Sequence, residues 1–191
     1  MRIRPTLEHD IQCLPDVERS AAQAFVALPA LARLAQGDVM GRDAHRAFVD
    51  VGGSWVAEDM QGRILGFACA RFAGQALHLH EVSVRREAQG QGVGRRLVLQ
   101  VADIARQAGA KELTLTTFAD VPWNAPFYAR LGFEVIDDGL LDARLRGILA
   151  SELAHGLLGR CAMRLCIGAE AQGLLRSPSP ASQLPQGYHQ A

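Results

Sequence analysis

The chain has 191 residues, 49% hydrophobic and 21% charged, a length and balance that suit one globular domain with its own core. Twenty basic residues offset twenty acidic ones, and no Lys or Arg run stands out, so composition offers no electrostatic footprint for nucleic acid. No stretch approaches the ~20 apolar residues that cross a bilayer, and Met1-Arg2-Ile3-Arg4-Pro5 lacks an apolar signal region, so no membrane partner and a cytoplasmic location are expected.

In chain order, Ile3 to Leu7 reads as a short first strand. Glu8 to Val17 and Arg19 to Leu28 suit helices, the second broken by Pro29. Ala30 to Gln36 suits a further helical turn, and Asp43 to Val49 a short helix. Trp55 to Glu58, Ile64 to Phe72 and Leu77 to Val84 then read as an antiparallel meander with turns at Asp59 to Arg63 and at Gly74. Leu97, Val98, Val101, Ile104 and Ala105 recur at helical spacing within Arg95 to Ala108, which Gly109 ends. The β-branched run Glu112 to Phe118 is the next strand. A helical crossover makes it parallel to the fourth. Pro126 to Arg130 is a short helix, and Phe133 to Ile136 and Cys161 to Ile167 are the last strands. Between them Leu140 to Gly156 is helical, and either covers a pocket or packs on a second subunit in a homodimer. After Gly168 the composition shifts to a Ser/Pro-rich stretch, so 1–168 is expected to be the domain and 169–191 a disordered tail.

Cys13, Cys69, Cys161 and Cys166 include no C-x-x-C pair, and three lie in apolar, strand-like runs. Free buried thiols are expected, with no metal site.

The segment Gln89-Gly90-Gln91-Gly92-Val93-Gly94 joins a strand to a helix. Glycines let backbone approach an anion. The first amides of the helix have no internal partner, and the helix dipole adds positive charge there. Arg95 and Arg96 add two full charges. The spacing is neither that of a Walker loop, since no Lys follows, nor that of the dinucleotide fingerprint.

At these residues the chain resembles the GCN5-related N-acetyltransferase (GNAT) superfamily, whose motif [Q/R]-x-x-G-x-[G/A] is filled by Gln89, Gly92 and Gly94. The superfamily's aromatic-Tyr-x-x-x-Gly-Phe signature is met by Phe127-Tyr128-Ala129-Arg130-Leu131-Gly132-Phe133. The resemblance implies an α/β (α+β) GNAT fold: a mixed sheet of about seven strands with flanking helices, splayed between strands 4 and 5. It implies acetyl-CoA as cosubstrate. Its implied contacts are Gln89, Gly90, Gln91, Gly92, Val93, Gly94 and Arg95, together with the strand segment Val82, Ser83 and Val84, where the backbones of Val82 and Val84 meet the pantetheine arm and thioester. Asn124 either contacts CoA or caps the short helix. Tyr128 is the implied proton or hydrogen-bond donor to the leaving thiolate.

An alkyl amine must lose a proton before it attacks a thioester. His78-Leu79-His80 resembles the His-Leu-His of the arylalkylamine N-acetyltransferases, which implies a base role for His78 and His80 and a small primary amine as acceptor. Glu81 is the competing base. Strict alternation turns it away from His80, unless a β-bulge brings it back. A protein or peptide amine as acceptor, or CoA sensing without turnover, are the alternative functions.

Overall fold

The computed structural model describes residues 1–168, and the tail expected at 169–191 lies outside the described residues. The strands are β1 (Arg2–Pro5), β2 (Ser54–Glu58), β3 (Ile64–Ala73), β4 (Ala76–Val84), β5 (Glu112–Phe118), β6 (Glu134–Val135) and β7 (Arg160–Cys166). The helices are α1 (Leu14–Ala22), α2 (Arg42–Val49), α3 (Val93–Gln107), α4 (Ala125–Ala129) and α5 (Ala143–Ala154), with 3-10 turns at Glu8–Cys13, Gln23–Ala27 and Ala32–Gln36. The strands form one seven-stranded sheet in the order β1-β2-β3-β4-β5-β7-β6. Among the described residues only β4 and β5 pair in parallel.

The expected helix break near Glu18 is absent, because α1 runs through it. Pro15 explains the difference. It has no N–H and fits only the first turn of a helix, so α1 starts beside it and the preceding residues form a 3-10 turn. The first strand stops at Pro5 rather than Leu7, where the Asp10 carboxylate accepts the Leu7 amide at 2.8 Å and starts that turn. Arg4 holds this corner, with 2.6 Å ion pairs to both Asp10 and Glu58.

Each sheet face has its own cover. Leu97, Val98, Val101 and Ala105 of α3 pack on Leu77, Leu79, Leu113 and Leu115. Opposite, Leu14 and Val17 of α1 and Phe48 of α2 pack on Val56, Phe67 and Cys69. Leu145 of α5 closes a smaller cluster with Ile136, Leu141 and Ala162. Each such leucine or valine contributes about 1.5–3 kcal/mol of burial. The four cysteines are free as expected, but only Cys69 is buried, and Cys166, the last residue of β7, is exposed.

Two irregularities shape the centre of the sheet. In the β3–β4 ladder Cys69 faces Glu81 while Ala70 faces Leu79, so His80 is an extra, bulged residue. The β4–β5 ladder holds only Ala76 to His78 against Glu112 to Thr114. Beyond it both strands continue unpaired with each other, and the sheet opens into a wedge.

Candidate functional site

The wedge is the mouth of a cleft of about 870 Å³. Its β4 wall shows how the bulge works. Arg85 donates its amide to Leu65 of β3 at 2.8 Å, so alternation turns the peptide groups of Val84 and Val82 to the open side. The Gln89 side chain confirms that direction by donating to the Val84 carbonyl at 3.0 Å. Glu81 stands opposite Cys69, whose side chain belongs to the α1–α2 face. His80 lies against Phe48 on that same face, ring centroids 5.1 Å apart. The bulge thus sets two consecutive side chains, His80 and Glu81, on one side of the sheet, as a bulge permits and strict alternation forbids.

The floor is the glycine-rich turn. Gly90 and Gly92 take φ of 75° and 80°, a region that side chains with a Cβ avoid. The first helical bond of α3 is Arg96 N–H to the Gly92 carbonyl, at 3.1 Å, so the amides of Val93, Gly94 and Arg95 precede it and are open to an anion. Gly90, Gly92, Val93, Gly94 and Arg95 all line the cleft. Gln91 does not; its side chain turns back to the Glu87 carbonyl at 2.9 Å. Arg96 also points elsewhere, to the Met1 carbonyl at 3.2 Å. Arg130, which the sequence did not single out, lines the cleft as well, as does Arg160.

His80, Glu81 and Tyr128 line the cleft, and His78 does not. His78 is buried, with Nδ1 3.0 Å from the Thr114 hydroxyl and its ring edge-on to His80 at 4.8 Å. Burial first, then the neighbouring His80 and Arg144, press its pKa down to about 3, and its ring stands behind His80 rather than in the cleft. His80 is an exposed residue, yet partial burial of its ring first, then Arg71 and Arg144, hold its pKa below the usual imidazole range. Burial raises the Glu81 carboxyl, against a 2.7 Å hydrogen bond from Ser83 and the charge of Arg160. Burial, then Glu81, raises the Tyr128 phenol as well, with Arg160 opposing. Asn124 makes no side-chain cap for α4; its carbonyl takes the Phe127 and Tyr128 amides at 2.8 and 3.0 Å, and the residue lines the cleft.

The far end of the cleft comes from elements distant in sequence. Phe25 meets the Phe118 and Trp123 rings at 5.8 and 5.9 Å. Glu152, near the end of α5, pairs with Arg160 at 2.8 Å and accepts the Thr116 hydroxyl at 2.6 Å. The guanidinium of Arg33 donates to the Gly156 carbonyl, and the adjoining Leu34 and Leu157 both line the cleft. Of the two roles expected for the 140–156 helix, its C-terminal end therefore performs the covering one. Glu18, Asp38, Glu81 and Glu152 give this end an acidic lining. No acidic cluster is visible in the sequence, because these residues sit on separate segments with no shared spacing. Among the described residues no group of His, Cys, Asp and Glu suited to a metal converges, and no helix is long and apolar enough to cross a membrane.

A mixed sheet opened between its fourth and fifth strands, above a glycine-rich helix start, is the GNAT architecture. The family model described as acetyltransferase (GNAT) family matches residues 23–133. The chain belongs to that family. It is 30% identical over 153 residues to a mycothiol acetyltransferase of Saccharomonospora viridis, covering 70% of this chain and 49% of the relative. It is 35% identical over 123 residues to a streptothricin acetyltransferase of Streptomyces lavendulae, covering 61% of this chain and 58% of that one. The chain thus spans about half the length of the curated relatives it matches. Among solved structures, Rv2747 from Mycobacterium tuberculosis in complex with CoA superposes with a TM-score of 0.66 at 18% identity, covering 87% of this chain and 99% of that one; this likeness speaks to the fold.

Proposed function

We propose that this chain is an acetyl-CoA-dependent N-acetyltransferase that transfers acetyl directly to a small primary amine. The observation that carries the reading is the wedge between β4 and β5, which opens backbone groups of β4 directly above the Gly90–Gly94 turn. The turn and Arg95 suit the pyrophosphate of CoA. The open peptide groups at Val82 and Val84 suit the pantetheine amides and the thioester oxygen. Two of the named relatives acetylate small molecules. The tie between Arg33 and Gly156 narrows the acceptor end toward a pocket, which favours a small acceptor over a polypeptide.

In this reading Glu81 takes the proton of the acceptor ammonium, and His80 stands at the pocket wall beside it. The amine nitrogen then bonds to the thioester carbon. A β4 amide facing the wedge stabilises the oxyanion, an interaction worth about 2.7–4 kcal/mol where such donors have been removed. Collapse breaks the C–S bond, and the Tyr128 hydroxyl hydrogen-bonds the departing thiolate. The nitrogen's second proton ends on the CoA thiol.

The test is release of CoA thiol from acetyl-CoA against tryptamine, phenethylamine, spermidine, kanamycin and a lysine peptide. Turnover on a small amine with none on the peptide is expected. Turnover on the peptide alone overturns the small-acceptor reading, and CoA binding without turnover on any member overturns the enzymatic one.

A further inference from the structure

Glu18 has no role in the chemistry described so far, yet it faces it. It lies on α1, whose Leu14 and Val17 are locked in the core against Phe67 and Cys69, so its position is set by the scaffold. Glu18 and Glu81 line the same cleft from α1 and β4. One Glu18 oxygen accepts the Met40 amide at 3.1 Å, and one Glu81 oxygen accepts the Ser83 hydroxyl at 2.7 Å.

The cations nearby are committed elsewhere. Arg19, the neighbour on α1, pairs with Asp16 at 2.9 Å. Arg160 of β7 faces Glu81 but pairs with Glu152 at 2.8 Å. From β3, Cys69 lies near both carboxylates and is bound to the Ser54 hydroxyl at 3.7 Å. Asp38, His80, the Tyr128 phenol, Arg95 and Arg130 are the other ionisable groups that line this cleft. Among the described residues neither Glu18 nor Glu81 has an ion-pair partner. Two half-buried carboxylates without a cation are costly, and the cost is relieved by sharing a proton or by admitting a cation.

We propose that Glu18 acts with Glu81 as one proton acceptor, so that the base is this carboxylate pair and the acceptor it selects enters as a cationic primary amine. The inference rests on the acetyltransferase reading above. The doubly ionised pair binds R–NH3+ and takes one proton, becoming singly protonated. The neutral amine attacks the thioester carbon, the C–N bond forms and the C–S bond breaks. The proton left on nitrogen passes to the thiolate, and the pair returns its own proton to solvent. The pair is suited to neutral pH: burial first and Glu81 second push the Glu18 carboxyl up to about 7, opposed by the Met40 amide and Arg19.

Two measurements on the full chain test this. The first is kcat/KM against pH for wild type, Glu18→Gln and Glu18→Asp, with spermidine and phenethylamine as acceptors. Wild type is expected to rise through neutral pH. In Glu18→Gln, Glu81 loses its like-charged neighbour, so the midpoint should fall by about one pH unit or more and the plateau by about tenfold, with partial recovery in Glu18→Asp. A higher KM with an unmoved midpoint would make Glu18 a binding residue only and overturn the proposal. The second follows glutamate carboxyl carbons by NMR and needs no turnover. One should titrate near neutrality in wild type and return toward the ordinary range in Glu18→Gln. If every glutamate already titrates in the ordinary range, the pair does not exist. A neutral titration that Glu18→Gln abolishes, together with no turnover on any amine, would overturn the acetyltransferase reading while leaving the shared proton standing.

Discussion

Replacing Tyr128 with Phe removes one hydroxyl and little else. The ring packs edge-on against Phe127 at 5.0 Å and Phe133 at 5.6 Å, contacts that phenylalanine keeps, so stability should change by less than about 1 kcal/mol. Burial and the nearby Glu81 raise the phenol above its usual pKa. It therefore stays protonated throughout the working range and serves only as a donor. Full proton transfer to a thiolate, whose acid has a pKa of about 8.5, is uphill, so what is lost is a hydrogen bond to developing negative charge. Such a bond is worth about 1.5–3 kcal/mol, which at about 1.4 kcal/mol per decade is roughly 10- to 150-fold in kcat. The assay is thiol release at saturating acetyl-CoA, with kcat and KM resolved separately between about pH 6 and 9. The loss should fall on kcat, leave the KM for acetyl-CoA within about threefold, and be independent of pH. An unchanged kcat, or a loss confined to high pH, would refute the donor role.

Three other outcomes follow from the packing. Gly53→Ala should destabilise the fold by about 3 kcal/mol in urea titration, because its Cβ would stand 2.1 Å from the Ala70 carbonyl oxygen; a change below about 1 kcal/mol would mean that β3 yields freely. His45 is fully buried with neither ring nitrogen partnered, and burial lowers its pKa, as burial first lowers that of His78, to about 3. Both bind protons more readily when unfolded, so their contribution is complete above about pH 6.5 and is lost as pH falls towards the folded values, by up to about 1.4 kcal/mol per pH unit each. His45→Leu should flatten that fall between about pH 6.5 and 5 without loss of stability at pH 7, and an unchanged slope would count against it. Arg33→Ala opens the tie to Gly156 and should raise the KM of the amine about three- to tenfold with acetyl-CoA unaffected; equal effects on both substrates would place the tie outside the acceptor end.

The elements that local chemistry writes were legible. Glu112–Phe118 is one strand as expected, because a β-branched run between a glycine and a turn has few alternatives. The turn at Gly90 and Gly92 was visible because φ near +80° selects glycine. The acceptor end was not legible. Glu18 reads as a solvated polar position beside Arg19, and only the packing of α1 on β4 turns it inward. Glu152 and Arg160 flank the loop after α5 and form a pair that no helical or strand period announces. The strand pattern of His78 and His80 correctly put both on one face, but could not show that Thr114 of the parallel partner strand engages the first. Phe25 and Trp123 are remote in the chain, and their contact exists only because the 3-10 turn at Gln23–Ala27 folds over the end of β5.

The bulge at His80 ties these local and distant features together, and it separates what a backbone does from what a side chain does. The extra residue interrupts the β3–β4 register and falls just after the last β4–β5 pair, His78 with Thr114. Added twist at a bulge would carry β4 away from β5 there. His80→Ala keeps the extra residue and should keep the wedge, so its affinity for CoA should stay within about threefold of wild type, with any loss falling on turnover. Deleting His80 leaves Leu79 and Glu81 facing the same β3 partners in a regular strand, free to extend its ladder with β5 across the backbone groups of Val82 and Val84. That variant should fold, as judged by cooperative melting, yet bind CoA at least tenfold more weakly in calorimetric titration, a loss of about 1.4 kcal/mol or more. Equal binding by the deletion variant and wild type would mean that the wedge is held open from outside β4, and the bulge would then matter only for aiming Glu81.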